Sequence, residues 1–172
     1  DANCRYDAIF EDRDGNIWVA SRTGRMSCYI RRKNVFRQYR HPFSQSDKIT
    51  CFYQSRDGNI WLANSVGEIG HVSGDFVRTY TSGLSNILDM KSVSVDEFIL
   101  FSEHGLFSYN ITTGAVVQIS ISGWPKNQVI SGKFSADGNT VMVLYNTHYS
   151  IIDLNRKIVV GGATIAHKTY SL

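Results

Sequence analysis

The feature that most constrains the fold of this 172-residue chain is a phrase that occurs in it twice. The stretch DRDGNIWVASRTGRM begins at Asp12, and a near copy, SRDGNIWLANSVGEI, begins at Ser55. The copies are 43 positions apart. Copies at a fixed spacing indicate a repeat architecture, in which each unit packs against its neighbours.

Each copy has the pattern of antiparallel strands joined by short turns. In the first, an apolar run leads to Asp14-Gly15, and Ile17, Trp18 and Val19 follow. Asp-Gly is expected to supply the positive-φ positions of a tight hairpin turn, between residues that favour strands. Later turns are predicted at Thr23-Gly24 and Lys33-Asn34. The second copy repeats this pattern, so each unit is predicted to contain four strands.

Two fainter copies follow. One lacks the Asp-Gly turn but keeps Gly105 and Thr113-Gly114, and the other has a turn at DGN, residues 137–139. The predicted second strands are residues 17–20, 60–63, 98–101 and 141–144. The predicted units are residues 6–43, 47–82, 87–122 and 128–161, with 162–172 as the start of a further unit or a closing strand.

Four-stranded units with a period near 40 are typical of β-propeller blades. A β-helix would need much shorter coils, and no segment shows convincing helical periodicity. The sequence therefore predicts an all-β chain, a single domain of about four propeller blades that form part of a larger propeller.

The phrase EDRDGNIWVASRTG and its echo QSRDGNIWLANSVGEI resemble the two-component-regulator propeller repeat, in which a D-G-x-I-W core precedes a small residue and a Gly-led third strand. EFILFSEHGLFSYNITTG resembles a degenerate copy. The resemblance implies a periplasmic sensor region of a hybrid histidine kinase anchored in the inner membrane. It also implies a carbohydrate-derived ligand, remaining blades elsewhere in the parent protein, and control of transcription through a kinase outside this stretch.

Composition excludes several classes of site. The formal net charge is +3, and no apolar run is long enough to cross a bilayer. The three cysteines form no C-x-x-C pair, and the five histidines show no metal-ligand spacing. Nucleophile elbows, isolated carboxylate pairs and glycine loops that open a helix are absent. We therefore expect no enzyme activity, no cofactor and no metal.

Several repeated residues are predicted to be structural. Trp18 and Trp61 occupy the same repeat position, which favours packing between blades over stacking on a sugar. The glycines of the predicted turns are Gly15, Gly58, Gly24, Gly67 and Gly105. The basic and aromatic run YIRRKNVFRQYRH is interpreted as a charged outer edge, which discourages edge pairing, rather than as a nucleic-acid site.

Candidate ligand residues lie in the turns between second and third strands, which open onto the same face as the connectors between blades. Loops on a rigid scaffold often carry binding residues. The candidates in these turns are Arg22, Asn64, Glu103, His104, Asn146 and His148. Trp124 is the one tryptophan outside the repeat position, and it either stacks on a ligand or caps the core.

Two functions fit these patterns. The first is a ligand-sensing propeller that binds a small molecule such as an oligosaccharide, and the alternative is a scaffolding propeller that binds another protein. Four blades from a larger ring would form an open arc with two exposed end faces. Either the arc closes on itself or two arcs associate, and the sequence favours a homo-oligomer.

Overall fold

The computed structural model describes residues 6–21, 25–40, 43, 48–74, 76–124 and 128–165. Within these ranges the chain forms four antiparallel sheets of four strands each, which we call blades 1 to 4. The helical structure in the described part is a single 3-10 turn at Arg31–Lys33. The all-β, four-blade prediction is confirmed.

Strands follow one another from the inner to the outer edge of each blade. Blade 1 contains β1 Tyr6–Glu11, β2 Ile17–Ser21, β3 Arg25–Ile30 and β4 Val35–Arg40. Blade 2 contains β5 Ile49–Gln54, β6 Ile60–Asn64, β7 Glu68–Ser73 and β8 Phe76–Thr81. Blade 3 contains β9 Ile87–Ser92, β10 Glu97–Ser102, β11 Gly105–Asn110 and β12 Val116–Ile119. Blade 4 contains β13 Ser131–Phe134, β14 Thr140–Leu144, β15 His148–Asp153 and β16 Ile158–Thr164.

All four predicted second strands are present, as β2, β6, β10 and β14. Each of these strands follows a turn, and the residues of a turn are a local sequence signal for where the next strand begins. The last strand differs from the prediction, because residues 162–164 continue β16 and pair with β15 as far as His148. These residues therefore do not start a further element, and residues 166–172 lie outside the described residues.

The hairpin turn after β1 corrects one detail of the sequence prediction. Gly15 has a φ of +76°, whereas Asp14 does not have a positive φ. The Gly15 N–H donates to the Asp12 carbonyl at 2.9 Å, and the Asp12 N–H donates to the Asn16 carbonyl at 3.0 Å. This is a three-residue loop with a left-handed glycine, so only the second residue of Asp-Gly needs positive φ. Blade 2 repeats the geometry at Gly58.

Among the described residues the hydrophobic core forms three clusters, which lie between successive blades. The first joins blade 1 to blade 2 and includes Trp18, Ile60 and Leu62. The second joins blade 2 to blade 3 around Trp61 and Phe98, whose ring centroids are 4.6 Å apart. The third joins blade 3 to blade 4. The repeated tryptophans are therefore buried between blades.

Candidate ligand cleft on blade 3

The turn between β10 and β11 exposes two of the candidate residues. Ser102 is buried, and its hydroxyl accepts a hydrogen bond from the His104 N–H at 3.1 Å. Gly105 follows with a φ of +136°, a backbone conformation that glycine adopts without strain. This tight turn places Glu103 and His104 at its tip.

A second short turn, in the connector from blade 3 to blade 4, positions Trp124. The Trp124 N–H donates to the Ile121 carbonyl at 3.3 Å, and Gly123 between them has a φ of +78°. Ser122 joins this connector to blade 4, because its N–H donates to the Lys157 carbonyl at 2.8 Å and its carbonyl accepts from the Val159 N–H at 3.1 Å. The backbone that carries the indole is thus hydrogen-bonded to blade 4.

These two turns enclose a cleft of about 240 Å³ together with the outer strand of blade 3. Its lining residues are His104, Gly105, Leu106, Gln118, Ile119, Ser120, Ile121 and Trp124. The aliphatic side chains and the indole form apolar walls, whereas the imidazole, the amide and the hydroxyl supply hydrogen-bonding groups. The structure therefore brings His104 and Trp124 together, as two of the candidate residues chosen from sequence.

Trp124 packs against the core and also borders the cleft. It is half-buried and packs against the core between blades 3 and 4, where its ring meets Phe101 edge-on at 6.4 Å between centroids. The same side chain lines the cleft. Packing of one part of the indole fixes the orientation of the part that remains accessible.

Glu103 lies behind the cleft and carries the negative charge beside it. Its carboxylate accepts from the Ser85 hydroxyl at 3.1 Å and from the Asn86 amide at 3.3 Å. Oε1 also lies 3.7 Å from Nε2 of His104. Glu103 thus links the turn to the preceding connector, and it is not among the residues that line the cleft.

Asn64 is not placed to contact a ligand. It is completely buried, and its carbonyl oxygen accepts from the backbone N–H groups of Val66 and Glu68 at 3.1 and 2.8 Å. Its amide donates to the Glu68 carboxylate at 2.8 Å. These bonds hold the turn around Gly67, so the structure gives Asn64 a structural role in this turn.

The remaining candidates lie elsewhere. His148 begins β15 and lines a separate open hollow of about 580 Å³ on blade 4. Its Nδ1 is 2.7 Å from the Thr147 hydroxyl. Asn146 lies in the turn before it and is exposed. Arg22 and Gly24 are outside the described residues.

A larger cavity, of about 690 Å³, was missed by the sequence reasoning. It lies where the ends of the inner strands meet the turns that follow them, and residues of all four blades line it. At its edge the buried Asp89 carboxylate is 3.0 Å from Nζ of Lys133 and accepts from the Phe134 N–H at 2.9 Å. Burial raises the pKa of Asp89, against the opposing effect of Lys133. The shared repeat position of these turns is the signal that could have revealed the cavity.

Two further observations concern the described residues as a group. They include no cluster of three or more side chains suited to hold a metal ion. No helix among them is long and apolar enough to span a membrane.

Comparison with known families identifies the repeat. Residues 1–23 and 44–65 match the family model described as two component regulator propeller. These two segments of the chain carry two-component-regulator propeller repeats. The matched segments contain the two copies of the D-G-N-I-W phrase, while the later blades of the propeller have diverged from the motif. Among curated proteins, none is significantly similar to the sequence.

Solved structures share the propeller fold at low sequence identity. The β-propeller domain of Cps50 (Swd1) from Myceliophteria thermophila has a TM-score of 0.69 at 14% identity, over 96% of this chain and 58% of that one. The extracellular domain of the candidate hybrid two component system BT3049 from B. thetaiotaomicron has a TM-score of 0.66 at 12% identity, over 91% of this chain and 23% of that one. The extracellular domain of the candidate hybrid two component system BT4673 from the same organism has a TM-score of 0.65 at 17% identity, over 96% of this chain and 22% of that one. The chain thus spans less than two thirds of each matched chain.

Proposed function

We propose that this chain is the ligand-sensing propeller region of a hybrid two-component signalling protein. The propeller repeats support the proposal, as do the similar extracellular domains of hybrid two-component systems. In this proposal the region is periplasmic, the parent protein is anchored in the inner membrane, and a kinase outside this stretch regulates transcription. The blade 3 cleft takes the ligand.

The ligand class follows from the lining of the cleft. A sugar ring has a face of C–H groups and a rim of hydroxyls, so it needs an apolar wall next to hydrogen-bonding groups. The indole of Trp124 supplies the wall, and His104, Gln118 and Ser120 supply the polar groups. A volume of about 240 Å³ is below the roughly 300–1,000 Å³ of pockets for drug-sized ligands. The cleft therefore suits one sugar unit, such as the end of an oligosaccharide.

Titration calorimetry with a panel of neutral monosaccharides and short oligosaccharides tests this proposal. Gln118→Ala removes an amide from the exposed outer strand of blade 3 and should weaken binding about tenfold, the effect of one good hydrogen bond. Gln38→Ala is the matched control, because Gln38 pairs with Ser27 in blade 1 as Gln118 pairs with Phe107 in blade 3.

Trp124→Phe complements this pair of variants, since it keeps an aromatic ring against Phe101 while reducing the wall of the cleft. We expect weaker binding of every sugar that the wild-type protein binds, with little change in melting temperature. Binding that is unaffected by both Gln118→Ala and Trp124→Phe would place the ligand elsewhere. No heat with any sugar would contradict the ligand class.

A further inference from the structure

The same arginine recurs in the hairpin turns of blades 1 and 2. Arg13 and Arg56 occupy equivalent positions in the phrases DRDGN and SRDGN, 43 positions apart. The guanidinium of Arg13 is bonded to the end of β5 and to the turn that follows it in blade 2. Its Nε donates to the Gln54 amide oxygen at 3.0 Å, its Nη1 donates to the Arg56 carbonyl at 3.2 Å, and its Nη2 donates to the Ser55 carbonyl. At this repeat position the side chain therefore connects one blade to the next.

Among the described residues Arg56 has no equivalent contact, and blade 3, the next blade, has lost the repeat phrase. The turn after β9 has no Asp-Gly, and the N–H groups of Val93 and Ser94 both donate to the Glu97 carbonyl, at 2.8 and 3.2 Å. The Arg56 side chain is exposed, and within the described part of the chain it makes no hydrogen bond or ion pair. A guanidinium presents several N–H donors in a fixed plane. Those of Arg56 remain available to a ligand.

A cleft of about 230 Å³ lies beside Arg56, between the first turns of blades 2 and 3, and we call it the turn cleft. Its lining includes the buried side chains of Trp61 and Phe98, whose ring centroids are 4.6 Å apart. It also includes Val93 and Val95, which are 57% and 83% exposed. Exposed aliphatic groups beside a buried aromatic pair form a surface that a small apolar group can cover.

Asp57 gives the turn cleft a negative charge beside the positive charge of Arg56. The two residues are adjacent and both line the cleft, but their side chains form no ion pair with each other. The Asp57 carboxylate accepts from the Ser55 hydroxyl and from the Asn59 amide, the second at 2.7 Å. The bond from Ser55 is the main cause that lowers the pKa of Asp57, so the carboxylate is ionised at neutral pH. An unpaired cation and an anion beside an apolar surface are complementary to a small zwitterion.

The turn cleft is separate from the blade 3 cleft. Its two turns follow the first strands β5 and β9, whereas the blade 3 cleft lies at the turn between β10 and β11. Successive turns of an antiparallel sheet lie at opposite ends of its strands, so the two clefts open on opposite sides of the propeller. Blades 2 and 3 each pack against a described blade on both faces, so the turn cleft lies away from the two end blades.

We propose that the turn cleft binds an apolar α-amino acid. The α-carboxylate pairs with the guanidinium of Arg56, which can hold both carboxylate oxygens with two parallel N–H donors. The ammonium group lies toward Asp57, and the apolar side chain covers Val93 and Val95. A volume of about 230 Å³ is below the roughly 300–1,000 Å³ of pockets for drug-sized ligands, which favours a ligand of this size.

Titration calorimetry with L-leucine and three matched compounds tests the ligand class. Isocaproate lacks only the ammonium group of leucine, isoamylamine lacks only the carboxylate, and glycine lacks the apolar side chain. L-Leucine should bind with a millimolar dissociation constant or a lower one. Each matched compound should bind at least about tenfold more weakly, because each leaves Asp57, Arg56 or the apolar surface without its counterpart.

Two variants and a control test the position of the site. Arg56→Gln removes the cation at an exposed position, so it should weaken L-leucine binding at least about tenfold without lowering the melting temperature. Val95→Ser reduces the apolar surface and should weaken binding about fourfold, the effect of about one buried methylene. Arg32→Gln is the matched control, because Arg32 is an exposed arginine in the 3-10 turn of blade 1, and it should leave binding unchanged.

The outcomes separate the site from the ligand class. L-Leucine binding that Arg56→Gln weakens and that Arg32→Gln leaves unchanged supports the turn cleft. Binding that Arg56→Gln does not change would overturn the site. Isocaproate that binds as tightly as L-leucine, or L-leucine that does not bind at all, would overturn the amino acid as the ligand. Any sugar that binds the blade 3 cleft should bind Arg56→Gln as it binds the wild type, so the two sites are tested independently.

Discussion

The two best copies of the repeat satisfy the same buried indole N–H with different residues. Trp18 donates to the Asp12 carboxylate at 2.9 Å, whereas Trp61 donates to the Ser55 hydroxyl at 3.3 Å. Burial disfavours the charged form of Asp12, but hydrogen bonds from Trp18, Asn16 and the Asp14 backbone outweigh burial and lower its pKa. Ser55 has a neutral hydroxyl and donates in turn to Asp57, whose pKa is lowered chiefly by that bond.

Asp12→Asn should therefore destabilise the protein. The Asp12 carboxylate accepts four hydrogen bonds, two at each oxygen, including those from the Asn16 amide and the Trp18 N–H at Oδ2. An amide at position 12 would place an NH₂ donor against one of these pairs of donors. We expect a loss of about 1–3 kcal/mol in the free energy of unfolding, measured with urea at pH 7.

Asp14→Asn is the control for this change, since it alters the same charge at an exposed position two residues away. The sign of the pH dependence gives a second check. A lowered pKa in the folded state stabilises the protein above the ordinary pKa of 3.8, and this contribution is lost as the pH falls through the folded value. The free energy of unfolding of Asp12→Asn should therefore fall less at acid pH than that of the wild type. An equal fall in both proteins would contradict the stabilising role of the Asp12 carboxylate.

His71 gives a pH dependence of the same sign, but at a higher pH. Its ring stacks on Trp61 at 4.2 Å, and its Nε2 is buried without a hydrogen-bond partner in the part of the chain that the structure describes. Burial and the charge of Arg78 lower its pKa from 6.5, with Asp57 acting in the other direction. Because the unfolded chain binds this proton more readily, stability should fall as the pH drops below 6.5.

His71→Phe tests this, because it keeps a ring against Trp61 and removes the titrating group. Its melting temperature should decline less than that of the wild type between pH 7 and pH 5. His148→Phe, at the exposed first residue of β15, is the control and should follow the wild type. Parallel curves for His71→Phe and the wild type would show that His71 does not control this pH range.

At the scale of elements, sequence predicted the strands well because their signals are local. The four second strands follow turns, and alternation of apolar side chains defines their faces. The chemistry within the turns was less predictable. Asp12 and Asn64 each use a side chain to bind several backbone or side-chain donors, and these contacts depend on folded geometry. Asn64 therefore resembled a ligand residue in the sequence, while Asp12 attracted no prediction.

The left-handed glycine of the hairpin turn should tolerate substitution poorly. Gly58 has a φ of +95°, and a Cβ there would meet no atom within 4 Å, so the cost of Gly58→Ala is purely conformational. We expect a loss of about 1–2 kcal/mol in unfolding free energy. Gly161→Ala is the matched control, since that site is equally open but has no positive φ. Equal stability of the two variants would contradict the turn assignment.

At the scale of the whole molecule, stability comes from contacts between blades. Trp61 is buried at the second interface, where it meets Phe98 of the next blade. Trp61→Ala should cost about 3–5 kcal/mol, much of the stability of an ordinary domain. Trp124→Ala, at a half-buried tryptophan, should cost less. Urea unfolding followed by circular dichroism measures both, and a fully stable Trp61→Ala variant would contradict the packing role.

The blade 3 cleft illustrates what sequence could not specify. His104 and Trp124 are separated by 20 positions, and a turn at Gly123 and the pairing of Ser122 with blade 4 bring them to one cleft.

Hydrogen–deuterium exchange tests most directly the claim that the described residues form four blades packed face to face through three apolar cores. Amides of blades 2 and 3 should exchange slowly, because a described blade covers each of their faces, and those of blades 1 and 4 should exchange faster. Equal rates in all four blades would contradict the account.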